Sequence, residues 1–446
     1  MDKSAHIKIF DTTLRDGQQC PGAGMSFEDN IAYAHLAVKL GVDVLEAGFP
    51  SASATDFEIV HEIASQLAAL PKSPEIAALC QLRDEQIDRT IQSLEPAQKV
   101  GRAKVHTYLP VDPGLMAASL GSKADKKSEI ITDVYNFIKR VSDVGMAVEF
   151  SPEGYSRQGD NFDFVTDVIR AAISAGATVI NCPDTIGGAC RRQGDKFFVA
   201  LMNRHAEIID REFPGNKVTW SAHCHNDFGL ALDNSLSAIT DGPARQVEGC
   251  INGVGERAGN VAIEQVILAI KHFEHRGLDG TLLYTNCNTE VLQGISDFID
   301  KKMLKRQAHF PIGGSNAARH SSGGHTNAVL KNPLVYQPFD PGEVGKKIEL
   351  TFGPLSGGNH AKSIIEDAGY VCSDSEKASI AQFIKGHFAD RRKGITDEEL
   401  LQGYFVFRSP IKFSSIDYGK TSNRSSVTCE GELFGKQGGH ERTHEG

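Results

Sequence analysis

Two histidines separated by one residue, His223 and His225, lie in the stretch His223-Cys224-His225-Asn226-Asp227. In an extended strand, residues two apart leave the same face, so both imidazoles can aim at one point while Cys224 turns away. Such a pair, joined by a carboxylate from a neighbouring strand, suits a divalent ion such as Zn, Mn, Fe or Co and leaves positions open for a substrate. The matching carboxylate is Asp16, in Asp11-Thr12-Thr13-Leu14-Arg15-Asp16-Gly17, where Arg15 beside it offers a fixed cation for a developing oxyanion. Glu46, in Glu46-Ala47-Gly48-Phe49-Pro50, stands among apolar neighbours; a buried carboxylate needs a partner, and Arg15 is the candidate. Asn260 closes the Gly-rich turn Asn252–Asn260, whose spacing is not that of a dinucleotide fingerprint; it can supply an oxygen near a metal or equally serve as an N-cap. His106, Ser151 with Glu153, and Asn181 to Thr185 end other strand-like stretches, and together they make a polar funnel.

For these residues to converge, the chain must bring many strand ends to one rim. Eight short apolar stretches alternate with helical patterns over the first two thirds: Ile7–Phe10, Val44–Gly48, Ile76–Cys80, Ala103–Tyr108, Ala147–Ser151, Thr178–Asn181, Val218–His223 and Gln246–Ile251. Ser26–Leu40 carries an N-cap signal at Ser26, and Asp163–Ala175 stops at Gly176. Eight βα units predict an α/β fold, a parallel (β/α)8 TIM barrel, with the site at the C-terminal ends of the strands. A small, mainly helical C-terminal region follows. Past Gly277, Asn288–Leu304 reads as helix and Pro311–Asn327 as turn-rich. Ser356–Ala368, Ser375–Asp390 and Thr396–Gln402 read as a helical subdomain, Tyr404–Phe407 as strand-like, and the polar tail as loosely ordered at its end. The expected domains are a catalytic barrel over 1–277, a linker and helical subdomain over 278–345, a small helical subdomain over 346–403 and a tail over 404–446.

Composition bounds the rest. The 446 residues carry 57 acidic and 47 basic side chains, a formal charge of -10 that repels phosphate backbones and anionic membranes, so neither nucleic acid nor membrane is an expected partner. No apolar run approaches the roughly 20 residues of a membrane helix, and the N-terminus has no signal-peptide pattern. Nine Cys without a C-x-x-C pair suit a reducing compartment, and the cytoplasm is the expected location.

The ordered motifs DTTLRDGQQ, EAGFPSAS, HTY, EFSPE, NCPDTIG, HCHNDFGLA and INGVGERAGN resemble those of the acyl-CoA-condensing metalloenzymes of the 2-isopropylmalate synthase family, which also contains homocitrate and citramalate synthases. The stretch NAARHSSGGHTNAVLKN at Asn316–Asn332 continues the resemblance beyond the barrel. The resemblance implies a divalent metal (Mn, Zn or Mg) held by Asp16, His223 and His225, with Asn260 in or near its shell, and acetyl-CoA as co-substrate. It implies that Arg15 stabilises the enolate or alkoxide oxygen, that His106, Ser151, Glu153 and Thr185 line the substrate, and that Thr185 bonds the oxo acid's carboxylate; Glu46 and Leu79, at the ends of the second and third strands, are expected to bind substrate beside them. It further implies a homodimer in which His325 and Tyr336 reach the partner's site, His325 as base, with Tyr336 and Glu153 positioning it or a water.

The implied reaction is a Claisen condensation of a 2-oxo acid with acetyl-CoA, followed by thioester hydrolysis. A 2-oxoglutarate user needs a cation for the distal carboxylate, whereas the rim is expected to offer Glu149 and Leu79, so 3-methyl-2-oxobutanoate, the precursor on the leucine pathway, is favoured. Citramalate or homocitrate synthesis is the alternative, and an aldol-cleaving acyl-CoA lyase a further one. Members of the family continue into a leucine-sensing domain, and the tail resembles at most its opening hairpin. Leucine is therefore expected not to inhibit this chain.

Overall fold

The computed structural model describes residues 3–409, 411–421, 424–433 and 436–445. Eight parallel strands close into a barrel: β1 (Lys8–Asp11), β2 (Val44–Glu46), β3 (Glu75–Gln81), β4 (Ala103–Pro110), β5 (Ala147–Glu153), β6 (Val179–Asp184), β7 (Thr219–Cys224) and β8 (Ala244–Gly249). Each of the eight predicted strands overlaps one of these. Closure is made by β8 against β1, with Phe10 paired to Glu248 and Asp11 to Gly249. The strands are buried on both faces because helices cover them, which explains their near-continuous apolar runs.

The surrounding helices begin and end where the sequence signals them. In α1 (Phe27–Leu40) the Ser26 hydroxyl accepts from the Asp29 amide, and Gly41, at φ 80°, takes the left-handed cap that other residues resist. The α2 helix (Ala54–Ala68) is capped in the same way by Ser53. The others of ten or more residues in this part of the chain are α3 (Asp84–Ser93), α4 (Lys127–Asp143), α5 (Phe162–Ala175), α6 (Phe198–Glu212), α7 (Ala231–Thr240), α8 (Ile263–His272) and, after the barrel, α9 (Leu292–Lys302). A three-residue strand, Ser4–His6, pairs with Leu282–Tyr284 outside the barrel; both are too short to show a period in the sequence.

The chain divides into two compact units. The first runs to Ala317 and takes in Gly342–Lys346; the second comprises Ala318–Pro341 and the chain from Lys347 onward. In the second unit α10 (Gly358–Asp367), α11 (Lys377–His387) and α12 (Asp397–Arg408) bury Ile364, Ile365, Ile380, Ile384, Leu400 and Tyr404 against Phe352. The strand expected at Tyr404–Phe407 is absent. Those residues are the end of α12, whose Thr396/Glu399 capping box fixes its start and whose Leu400 and Tyr404 share one buried face at helical spacing. The tail also departs from expectation. Ile411–Thr421 (β9), Arg424–Leu433 (β10) and Lys436–Glu445 (β11) form an antiparallel sheet, because the Val427-Thr428-Cys429 run of β-formers pairs on both sides. Among the described residues no helix is long and apolar enough to cross a membrane.

Candidate active site

Seven of the eight barrel strands, or the loops that follow them, send side chains to one cavity of about 210 Å³ at the C-terminal rim. Arg15 and Asp16 come from the loop after β1, Leu79 from β3, His106 from β4, and Ser151 and Glu153 from β5. Thr185 follows β6, His223 and His225 come from β7 and the residue after it, and Glu248 from β8. The β2 contribution, Glu46, lies behind this wall. Its carboxylate is taken by Arg15 Nε at 2.6 Å, His106 Nδ1 at 2.7 Å and the Thr12 hydroxyl, so the expected substrate contact of Glu46 is replaced by a contact with two residues that do face the cavity.

Six of these side chains form a closed hydrogen-bonded ring. From Glu46 it passes to His106, whose Nε2 is 2.8 Å from the Ser151 hydroxyl. Asn181 Nδ2 donates both to Ser151 at 3.0 Å and to Glu248 Oε2 at 2.7 Å, and Arg15 Nη2 closes the ring on Glu248 Oε1 at 2.8 Å. Burial works against a charge on His106, but the Glu46 carboxylate outweighs it and raises the imidazole's affinity for its proton. Ser151 then accepts from both His106 and Asn181, and its own proton is free to point into the cavity. The Thr185 hydroxyl accepts from the Gly154 amide at 2.9 Å, which likewise leaves its proton for a ligand.

Beside the ring, Asp16 Oδ2 stands 3.3 Å from His223 Nε2 and 3.9 Å from His225 Nε2, while the two Nε2 atoms face each other at 3.1 Å. Donor atoms sharing an ion at bond lengths of about 2 Å lie about 3 to 3.5 Å apart, so the spacing fits a divalent metal. Two observations strengthen the fit. Asp16 Oδ2 is buried without a hydrogen-bond donor, as is Asn260 Oδ1. The carboxylates of Asp16, Glu46 and Glu248 also outnumber the Arg15 guanidinium, an excess of negative charge that a divalent ion offsets. His223 expresses the same imbalance: although burial opposes its charge, the Glu248 and Asp16 carboxylates push it up to about 10, whereas burial and the neighbouring His223 pull His225 down to about 4. Asn260 does not line the cavity. Its amide nitrogen donates to the Val254 carbonyl at 3.0 Å, and a backbone bridge sets it against His225.

One reading needs correction and one residue was missed. Glu149 does not reach the rim; it lies fully buried among Lys104, 3.5 Å away, and Gln246, which donates to it at 2.7 Å. Leu79 and Pro183 are the apolar side chains among the cavity's lining residues. His325 and Tyr336 lie in the second unit, where their rings stack with centroids 3.8 Å apart. Glu248 escaped the sequence reading although the alternation Gln246, Glu248 marks an inward polar face on an otherwise apolar strand.

Comparison with known proteins agrees with this geometry. Residues 6–299 match the HMGL-like family model, and residues 312–393 match the model described as homocitrate synthase post-HMGL domain-like. The 2-isopropylmalate synthase of Pelotomaculum thermopropionicum is 38% identical over 400 residues, covering 89% of this chain and 74% of that protein. That of Aquifex aeolicus is 37% identical over 401 residues, covering 88% and 72%. Among solved structures, the hydroxymethylglutaryl-CoA lyase of Pseudomonas aeruginosa superposes with a TM-score of 0.52 at 18% identity, covering 69% of this chain and 97% of that one, which bears on the barrel fold alone. With both the barrel and the segment that follows it matched, the chain belongs to the HMGL-like family and, within it, to the 2-isopropylmalate synthases, acyl-transferring condensing enzymes.

Proposed function

We propose that this enzyme condenses acetyl-CoA with 3-methyl-2-oxobutanoate to give 2-isopropylmalate and CoA, the committed carbon–carbon bond formation toward leucine. The observation that carries the reading is the convergence of Asp16, His223 and His225 with Arg15 in one cavity that Leu79 also lines. A divalent ion held by those three residues supplies Lewis acidity toward the ketone of the oxo acid. Mn, Zn and Mg are the candidates.

Arg15 is held in place by Glu46 and Glu248 through Nε and Nη2, which leaves Nη1, 3.7 Å from Asp16 Oδ1, as the nitrogen facing the metal set. There it stabilises negative charge developing on the ketone oxygen, and its preset orientation means that little reorganisation opposes the reaction. Ser151 and Thr185 donate to the substrate, Thr185 to the carboxylate, with His106 acting through Ser151. Leu79 packs on the branched alkyl end. Burial raises the Glu153 carboxyl against the opposing pull of Arg15, so it can hold a proton or position a water at the rim. His325, stacked on Tyr336, removes a proton from the acetyl methyl group; the resulting carbanion attacks the ketone carbon, and water then cleaves the thioester to release CoA.

The assignment includes a homodimer in which His325 and Tyr336 of one subunit serve the barrel site of the other. Leu334, Val335 and Tyr336, each close to half exposed, supply apolar surface of the kind a partner covers. It also includes a cytoplasmic location, which the eight free cysteines among the described residues suit. The reaction is tested by mass analysis of the product formed from acetyl-CoA and 3-methyl-2-oxobutanoate. 2-Isopropylmalate, formed in step with free CoA, is expected; acetoacetate or no new acid would refute the assignment.

A further inference from the structure

We infer that Glu248 is a positioning residue that ties one metal ligand to the cation that receives the oxyanion, so that the two are set as a unit. The inference rests on the reading that Asp16, His223 and His225 hold a divalent ion. Glu248 is fully buried, and both of its oxygens are committed. Oε1 accepts from Arg15 Nη2 at 2.8 Å and lies 3.1 Å from His223 Nδ1; Oε2 accepts from Asn181 Nδ2 at 2.7 Å. An imidazole that gives its Nδ1 proton to a carboxylate keeps Nε2 bare, and Nε2 is the atom that faces Asp16 Oδ2 at 3.3 Å. At 3.1 Å, and short of an aligned hydrogen bond, Glu248 is the anion placed to set both the ring orientation and the proton-bearing nitrogen of His223 once Nε2 takes a metal.

The second histidine lacks this support. Neither Nδ1 makes an aligned hydrogen bond, but His223 Nδ1 lies 3.1 Å from Glu248 Oε1, whereas the carboxylate contact of His225 is through Nε2 to Asp16, so of the pair His223 is the one whose Nδ1 faces an anion. Arg15, by contrast, has two anchors, and loss of Glu248 leaves the Glu46 contact at Nε in place. The two consequences of altering Glu248 are therefore separable: a large one on metal affinity through His223, and a smaller one on turnover through Arg15. Glu46 has the opposite pattern, since it touches Arg15 and His106 but neither histidine of the metal set.

The test is Co(II) titration of the chelator-stripped full chain, followed by visible absorption and by competition with a chromophoric chelator. Wild type, Glu248→Gln, Glu248→Asp and Glu46→Gln are compared, with circular dichroism and thermal unfolding of each apoprotein as the check on folding. Wild type is expected to bind a single equivalent at the site. Both Glu248 variants should bind about 10- to 100-fold more weakly, the usual consequence of losing a ligand-orienting carboxylate, with Glu46→Gln within about threefold of wild type. The Asp variant keeps the charge and withdraws it by one methylene, so it informs even where the Gln variant fails to fold. Affinity of either folded Glu248 variant within about threefold of wild type overturns the assignment, as does an equal loss in Glu46→Gln, which would mark general damage to the ring. A wild-type protein that binds no Co(II) overturns the metal reading itself and this assignment with it.

Discussion

Arg15 meets Glu46 through Nε and Glu248 through Nη2, a use of the planar guanidinium fork that a lysine ammonium cannot copy. Arg15→Lys is accordingly expected to lower kcat by about 100-fold or more, in the range seen when a single oxyanion donor is lost, while the barrel stays folded. Steady-state CoA release measures this, and turnover within threefold of wild type would contradict the role. At this scale the sequence was legible where local spacing decides geometry. His223 and His225 lie on one strand face because they are two apart, and Asp16 follows a strand end. It was not legible where closure decides. Glu248 reaches Arg15 across 233 positions of sequence because β8 pairs with β1, and before that pairing is known an acid on a strand reads as a solvent-facing one. Glu149 misled for a related reason: it sits one layer below the rim, beside Lys104.

The loops between elements carry the next level of control. Arg257, a non-glycine residue at φ 55°, donates to Asp227 through Nε and Nη2 and to the Thr185 carbonyl at 2.7 Å, so it clamps the loops after β6, β7 and β8 together. The contact is partly exposed and contributes under about 1 kcal/mol to stability. Its loss should therefore act on the site more than on the fold: Arg257→Ala is expected to raise KM for the oxo acid about tenfold with the thermal midpoint nearly unchanged. An unchanged KM would show that the clamp does not shape the substrate site. A second element-scale link joins α6 to the loop after β5, where His205 Nδ1 is 2.7 Å from the Tyr155 hydroxyl and its ring stacks on Phe162 at 4.2 Å. Burial pulls His205 down to about 4 from its ordinary 6.5, so between these values the unfolded chain binds the extra proton. Its contribution to stability is full above pH 6.5 and is lost as pH falls toward 4, about 3 kcal/mol at most. Chemical denaturation at pH 7 and pH 4.5 should show a steeper loss in wild type than in His205→Gln; equal losses would contradict this. Elements were read well where caps stood at both ends, as for α1, and poorly at Tyr404–Phe407, where three aromatics in four residues mimic a strand and only the buried partners Ile380 and Ile384 reveal a helix face.

On the scale of the whole molecule, eight strands contribute to one site, and the proposed dimer adds His325 and Tyr336 to it. Subunit mixing addresses that addition. An Arg15→Lys protein and a His325→Ala protein, each impaired alone, should regain up to about a quarter of wild-type activity when unfolded and refolded together, since one site in four of a random mixture is then intact; no recovery would place each site within one subunit. The junction between the two units was the least legible in sequence, because the turn-rich Pro311–Asn327 segment that crosses it carries no period. The reaction itself is measured by CoA release by the metal-replete protein with acetyl-CoA and, in turn, 3-methyl-2-oxobutanoate, pyruvate, 2-oxobutanoate and 2-oxoglutarate. The branched acid should have the highest kcat/KM by about tenfold or more. A preference for pyruvate or 2-oxoglutarate would contradict the substrate assignment, and no thiol release with any of the four would contradict the reaction.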